Sequence, residues 1–274
     1  MSVLTVPATF QTVTQSKPTL CVGVPFYGPQ EAAWWVQFSQ HMSELHHTVD
    51  LMEIISMGSM ATDHNRNAIV HDFLEKGAEW LLWIDADTIV PMGSVARLLA
   101  VGKTMVSGLY YGKNPPHPPI AYHLYNGAVR PIDQARRWEK GEILPVDACG
   151  MGCMLTHRSV YEDIMNTHEV YQREGGSLVV IPKKNILGDI REGDWHEHDE
   201  KVYRGQYRQR LRKPTLVDMK FPFFALEHGR TEDLWFFDLA RQAGHRAWLD
   251  TSVECLHLRA QPFTGADYRD LNGH

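Results

Sequence analysis

The chain has 274 residues, 43% of them hydrophobic and 22% charged, with 33 acidic against 27 basic side chains and a formal charge of −6. That length and apolar fraction supply one sizeable core, or one core with a small appendage, and no run approaches the 18 or more apolar residues of a membrane span. The acidic balance argues against a protein whose main work is coating nucleic acid, while leaving room for a local basic patch.

In chain order, Met1 to Lys17 forms a Thr-, Gln- and Val-rich tail. It lacks the basic start and apolar block of a signal peptide and is expected not to be one. Thr19 to Val24 predicts a buried strand, which Pro25-Phe26-Tyr27-Gly28-Pro29 must leave because proline cannot donate to a ladder. Residues 30–47 carry a helical pattern through Ala33, Trp34, Val36 and Phe38. Val49 to Ile55 predicts a second strand, so these segments make a β-α-β unit. A further helix is expected from an N-cap at Thr62 or Asp63, through the i,i+4 pairs Ile69/Phe73 and Val70/Leu74, to a stop at Gly77.

Next comes Trp80-Leu81-Leu82-Trp83-Ile84-Asp85-Ala86-Asp87, five apolar residues without alternation ending in two carboxylates. Such a run fits a strand buried on both faces, and open α/β sheets bind ligands beyond the carboxyl ends of their strands. Pro91 suits a first helical position, Val95, Leu98 and Leu99 give that helix a buried face, and Met105 to Tyr110 predicts another strand. Lys113 to Pro119 is a proline-rich loop, and residues 120–148 read as short strands and turns. Gly150 to Leu155 is a glycine-punctuated apolar segment before a short helix from Ser159 to about Thr167. Residues 171–220 are the least regular part, first acidic (Asp189 to Glu200), then basic (Arg204 to Lys213). A last helix, capped by Thr231 and stopped by Gly244, precedes a strand around Arg246 to Leu249. No internal repeat is visible.

Four cysteines, at 21, 149, 153 and 255, have neither zinc-site spacing nor the density of a disulfide scaffold, and read as reduced core thiols in a cytosolic setting. Asp85 and Asp87 are placed to offer one carboxylate to a metal and the other to a sugar hydroxyl or a metal-bound water. An Asp-rich turn after a strand is the plainer reading of the same residues. Asn65-Arg66-Asn67 opens the preceding helix near where a phosphate or base would lie, or is simply solvated. Glu232 and Asp233 either complement a helix dipole or serve an acceptor hydroxyl. His257 follows the final strand and could return to the metal as an imidazole ligand.

The order of these motifs resembles the GT-A superfamily of nucleotide-sugar glycosyltransferases: Val24-Pro25, Asn65-Arg66-Asn67, Trp83-Ile84-Asp85-Ala86-Asp87, Gly150-Met151-Gly152-Cys153, Thr231-Glu232-Asp233 and His257. Within it the chain is most similar to family 2-like enzymes, fungal α-mannosyltransferases and viral or phage glycosyltransferases. The resemblance covers about residues 18–113 and 145–258. It implies an α/β fold with a Rossmann-like, mostly parallel central sheet flanked by helices and a smaller mixed acceptor-side subregion. The expected organisation is a tail (1–17), a nucleotide-sugar-binding half (18–113), an acceptor-binding half (114–258) with an irregular insert (171–220), and a second tail (259–274).

Residue by residue, the resemblance implies that Val24, Pro25, Phe26 and Tyr27 hold base and ribose, with Arg66 a polar position of the donor pocket. Asp85, joined by Ala86 to Asp87, faces ribose or donor sugar. Asp87 and His257 bind Mn²⁺ or Mg²⁺, Gly150 and Gly152 underlie the donor sugar, and Asp233 or Glu232 is the base. A UDP-sugar donor is expected ahead of GDP-mannose. The hydroxyl acceptor would be a glycan, a protein or modified DNA, and the location cytoplasmic (host cytoplasm for a viral chain). Rival readings are a nucleotidyltransferase, disfavoured by the bulky Val24-Pro25-Phe26-Tyr27, and a non-catalytic sugar- or nucleic-acid-binding module using Arg204 to Lys213 with Tyr203 and Tyr207. Trp138, Trp195 and Tyr203 are candidate platforms for an acceptor sugar. His196 and His198 beside Trp195 are expected to lie in an exposed loop rather than at a second metal.

Overall fold

The computed structural model describes residues 16–26, 30–58, 61–125, 128–134, 137–173, 178–183, 196–199, 208–212, 220–226 and 230–258. The first stretch holds β1 (Thr19–Pro25), α1 (Ala32–Leu45), β2 (Asp50–Met57), α2 (Thr62–Lys76), β3 (Trp80–Ile84), β4 (Thr88–Ile89), α3 (Ser94–Ala100) and β5 (Met105–Leu109). It is followed by β6 (Ala121–Tyr125), β7 (Ala128–Pro131), β8 (Ile143–Val146), β9 (Ala148–Cys149), β10 (Cys153–His157), α4 (Arg158–Thr167), β11 (His168–Arg173) and β12 (Leu178–Pro182). The rest are β13 (His196–Asp199), β14 (Arg208–Arg212), α5 (Glu232–Gln242), β15 (Ala247–Glu254) and β16 (Leu256–His257).

A seven-stranded sheet in the order β2-β1-β3-β10-β5-β15-β8 is the centre of the molecule. Five strands run one way, while β10 and β8 run against them. The expected α/β sheet flanked by helices is therefore present, with a reversed strand between β3 and β5. The alternation of side chains sends Cys21, Leu81, Trp83, Met105 and Met154 to one face, where α2, α4 and α5 cover them. Leu20, Val22, Val24, Leu82, Ile84, Val106 and Leu155 go to the other, under α1 and α3. Both faces are buried, which is why β3 reads as an unbroken apolar run.

Several local expectations change. Residues 150–155 were expected only as a glycine-punctuated segment, yet Cys153 to His157 is the reversed inner strand, its register set by Cys153 opposite Ile84. Helix α2 begins at Thr62 behind Ala61, with no side-chain cap, because the Asp63 carboxylate accepts instead from the His64 N–H at 3.0 Å. The stop at Gly77 holds, in the left-handed region at φ 79°. Thr231 occupies the N-cap position of α5, but its hydroxyl donates to the Asp233 carboxylate and accepts no backbone N–H. The last long strand extends to Glu254.

Parts of the irregular insert form a four-stranded sheet, β12-β11-β14-β13. There the acidic strand lies beside the basic one, with Glu197 opposite Arg210 and Asp199 opposite Arg208. Arg204, Tyr203, Tyr207 and Lys213 lie outside the described residues, as do Trp195 and the acidic residues 189–194. The four cysteines are buried and unpaired. Among the described residues, no helix is long and apolar enough to cross a membrane.

His41 on α1 is 2% exposed, and neither ring nitrogen has a hydrogen-bond partner among the described residues. Burial pushes its pKa below 6.5, against the weaker pull of Glu44. The unfolded chain binds a proton as pH falls through about 6.5, whereas the folded chain resists until lower pH, so this stability is present above that value and lost beneath it. Partly buried His71 and His157 act in the same direction. Urea midpoints measured at about pH 7.5 and about pH 5.5 should fall less for His41→Leu than for the natural chain. Equal falls would show that His41 does not contribute.

Candidate functional site

Strand β3 ends at the rim of the sheet, and three backbone hydrogen bonds fix the residue that follows. The Asp85 N–H donates to the Gly152 carbonyl at 3.2 Å, while its own carbonyl accepts from the Trp34 indole at 3.1 Å and the Thr88 N–H at 2.9 Å. Its side chain is thereby aimed at α2. There Arg66, 4% exposed, donates from Nη2 to Asp85 Oδ1 at 2.9 Å and from Nε to Glu232 Oε1 at 3.4 Å. The guanidinium lies against the rings of Trp83 and Phe224, 5.5 and 6.0 Å from their centroids. Asn67 fixes Phe224, donating to its carbonyl at 2.7 Å and accepting from its N–H at 3.0 Å.

Burial raises the carboxyl pKa of Asp85, with Arg66 opposing and the Asp87 charge adding to the rise. Glu232 is raised in the same way, by burial and by Asp233, against Arg66. Both acids therefore depend on the guanidinium to remain ionised.

Asp87 meets His257 through a two-residue antiparallel pair. Strand β16 lies against β4 with His257 opposite Thr88, and the Leu258 N–H donates to the Asp87 carbonyl at 2.7 Å. The His257 ring is held from behind, with Nδ1 at 2.9 Å from the Tyr111 carbonyl. A carbonyl only accepts, so Nδ1 carries the proton, and in the neutral ring Nε2 presents a lone pair. With Nδ1 so engaged, it is Nε2 that faces Asp87, 3.6 Å from Oδ1. Protonated, Nε2 donates toward that oxygen; neutral, it presents a lone pair beside it, and the two acceptors then repel unless a cation lies between them. The other Asp87 oxygen, Oδ2, accepts from Lys113 Nζ at 2.5 Å. Burial works to raise Asp87, but His257 and Lys113 outweigh it and hold the carboxyl at about 2.

Below the two acids lies Tyr110, whose hydroxyl accepts from the Gly152 N–H at 2.9 Å and whose ring meets His257 edge-on at 5.5 Å. A Cβ at Gly150 would lie 1.9 Å from that hydroxyl, and one at Gly152 would lie 2.6 Å from Thr88 Oγ1. Only glycine lets this loop pass so close to the tyrosine. Burial, with Asp85 adding to it, raises the Tyr110 pKa well above 10, so the hydroxyl stays protonated.

Asp85, Arg66, Glu232, Asp87, His257 and Gly152 are thus gathered at one sheet rim, and Ala86 packs beneath the turn between the acids. Val24 and Pro25 end the neighbouring strand with buried side chains, so they offer the site backbone rather than side-chain contacts. Phe26 stands beside them, edge-on to Trp34 at 5.7 Å and stacked on half-exposed Trp35 at 5.9 Å. Tyr27 lies outside the described residues. Asp233 starts α5 next to Glu232, its Oδ1 accepting from the Leu234 N–H at 2.8 Å. Trp138 packs against the core, while Tyr203 and Trp195 are outside the described residues.

Sequence reasoning missed Lys113, Tyr110, Tyr111 and Trp34 as parts of this site. The first three follow directly from the carboxyl end of β5, so the strand-end rule applied to β3 would have flagged them. Among the described residues no group of three or more His, Cys, Asp or Glu could hold a metal by protein atoms alone. Asp87 and His257 are a pair, which fits an ion completed by phosphate oxygens and water.

No protein family matches the chain by sequence, and no curated protein matches it. Solved structures that resemble it include A197 from STIV, with 15% identity over 89% of this chain and 86% of that one, TM-score 0.48. A glycosyltransferase involved in glycosylation of the major capsid of PBCV-1 is 16% identical over 53% of this chain, TM-score 0.29. GalNAc-T7, solved with UDP, GalNAc and Mn²⁺, is 9% identical over 90% of this chain, TM-score 0.42. This chain spans 62% and 44% of those two glycosyltransferases. None of these likenesses bears on what this chain binds or does.

Two outcomes follow from the geometry. Arg66→Met strands two buried carboxylates and should lower the unfolding free energy by about 3–5 kcal/mol in urea titrations; a change under about 1 kcal/mol would show the bridge to be dispensable. Gly150→Ala should destabilise by about 3 kcal/mol. Tyr110→Phe, which removes the hydroxyl in its way, should recover part of that loss in the double variant, and strict additivity would contradict the clash.

Proposed function

We propose that this protein is a divalent-cation-dependent glycosyltransferase that moves a hexose from a nucleoside-diphosphate sugar to a hydroxyl acceptor. One observation carries the reading: His257 Nε2 and Asp87 Oδ1 face one another at 3.6 Å at the carboxyl end of a buried strand. The arrangement behind them suits a metal ligand, because a histidine that donates its far N–H to a backbone carbonyl has both its tautomer and its aim fixed. Imidazole and carboxylate together favour Mn²⁺, with Mg²⁺ second. A bound cation there would act as a Lewis acid on the departing diphosphate.

The chain's own residues take the remaining roles. Asp85, kept ionised by Arg66, accepts from a hydroxyl of the ribose or the donor sugar, with the backbone of Val24 and Pro25 and the ring of Phe26 alongside for the nucleoside. Gly150 and Gly152 let their loop pack onto Tyr110 and Thr88, and the resemblance places that loop under the donor sugar. Glu232 is committed to Arg66, so Asp233 is the better general base for an acceptor hydroxyl. The resemblance implies a UDP-sugar ahead of GDP-mannose. The acceptor is a hydroxyl of a glycan, a protein or modified DNA.

The test is release of free nucleotide from a panel of nucleotide sugars with Mn²⁺, with and without a chelator. Asp87→Ala should lose at least about 100-fold in release, and chelation should abolish it. Asp233→Asn should reduce transfer while leaving nucleotide binding intact. Undiminished release by Asp87→Ala would remove the metal site from the proposal.

A further inference from the structure

The Asp87 carboxylate already has a cation. Lys113 Nζ lies 2.5 Å from Oδ2, on the opposite oxygen from the one that faces His257. We propose that Lys113 is a tethered cation that neutralises Asp87 until a divalent ion arrives, so that metal entry and the Lys113–Asp87 pair exclude one another. The inference rests on the reading of Asp87 and His257 as the metal ligands.

Three features of the loop support it. First, Lys113 is delivered from a fixed base: the Gly112 N–H donates to the Pro118 carbonyl at 2.8 Å, Tyr111 bridges to Pro119, and the Gly112 carbonyl meets His117 Nδ1 at 2.7 Å. Second, the side chain is a flexible four-carbon stem and 32% exposed, so it can withdraw while its base stays in place. Third, the same segment holds His257, through the Tyr111 carbonyl at 2.9 Å. One short stretch after β5 therefore aims the neutral ligand of the site and occupies the charged one.

The electrostatics make the two states alternatives. The Asp87 carboxylate takes positive charge from the ammonium at 2.5 Å, the place a bound cation would otherwise fill. A divalent ion between Oδ1 and Nε2 would stand within a few ångströms of Nζ, and two cations at that separation repel strongly in a half-buried setting. The ion must therefore displace the ammonium, and the displaced Lys113 remains tethered beside the place where a diphosphate would lie. Its role is positioning: it sets how readily the site fills.

The experiment is a titration with MnCl₂ alone, followed by the loss of the free-ion electron paramagnetic resonance signal, on the full chain without nucleotide. Lys113→Met should bind Mn²⁺ about five- to tenfold more tightly than the natural chain, since a half-exposed ion pair no longer competes. Lys113→Arg, which keeps the charge, should bind as the natural chain does, and Lys113→Met/Asp87→Ala should not bind. Unchanged or weaker binding by Lys113→Met, with Asp87→Ala still abolishing it, would overturn the competition and leave the metal reading standing. If neither the natural chain nor Lys113→Met binds, or if Asp87→Ala binds as well as the natural chain, the metal reading falls and the competition with it.

Discussion

A guanidinium almost wholly withdrawn from water is tolerable only beside carboxylates, and Arg66 has two that come from opposite ends of the fold. Asp85 is 19 residues away along the chain and Glu232 is 166 away. The single side chain therefore holds α2, the end of β3 and the start of α5 in one relation. Trp83 and Phe224 exclude water from around it, and the Asn67 amide keeps Phe224 there. Each of these contacts is too weak alone to place a site. Together they make the position of Asp85 a consequence of packing rather than of its own turn.

The neighbouring acid is governed differently, and the contrast gives the site its character. Asp85 is raised because it is buried, whereas Asp87, two residues on and nearly half exposed, is lowered because His257 and Lys113 surround it with donors and positive charge. Two neighbouring carboxylates are thus pushed in opposite directions by different surroundings. Asp85 is held by the Arg66 guanidinium. Asp87 stays ionised across the physiological range beside the Lys113 ammonium.

How much of this was legible depended on whether the interacting groups are neighbours in the chain. The apolar run from Trp80 to Ile84 and the acids after it lie in one segment, so both the strand and the rim position could be read directly. Helix α2 was legible for the same reason, down to the left-handed Gly77. Strand β10 was not: Gly150 and Gly152 just before it look like loop punctuation, and its reversed direction follows only from pairing with β3 and β5. The sheet in the insert was hidden by a similar cause, since an acidic stretch and a basic one each read as solvated until they are set side by side. Lys113 was concealed by the prolines that follow it, which mark a loop but say nothing of what the loop carries.

The position of His257 is the most exacting of these long-range outcomes. It depends on a pairing of only two residues, Leu256 with Ile89 and His257 with Thr88, continued by the Leu258 N–H to the Asp87 carbonyl. Strand side chains alternate sides, so a slip of one residue would send the imidazole to the opposite face and bring Leu256 or Leu258 toward Asp87. Such a short ladder is a weak lock by itself. The register is secured one step earlier, where β15 runs through the core beside β5 and the Cys255 N–H donates to the Leu109 carbonyl at 2.8 Å. Strand β5 in turn leads directly into Tyr110, which supports the ring, and Tyr111, which holds its Nδ1. The imidazole is therefore placed by the same strand end that carries Lys113, which is why both side chains meet at Asp87.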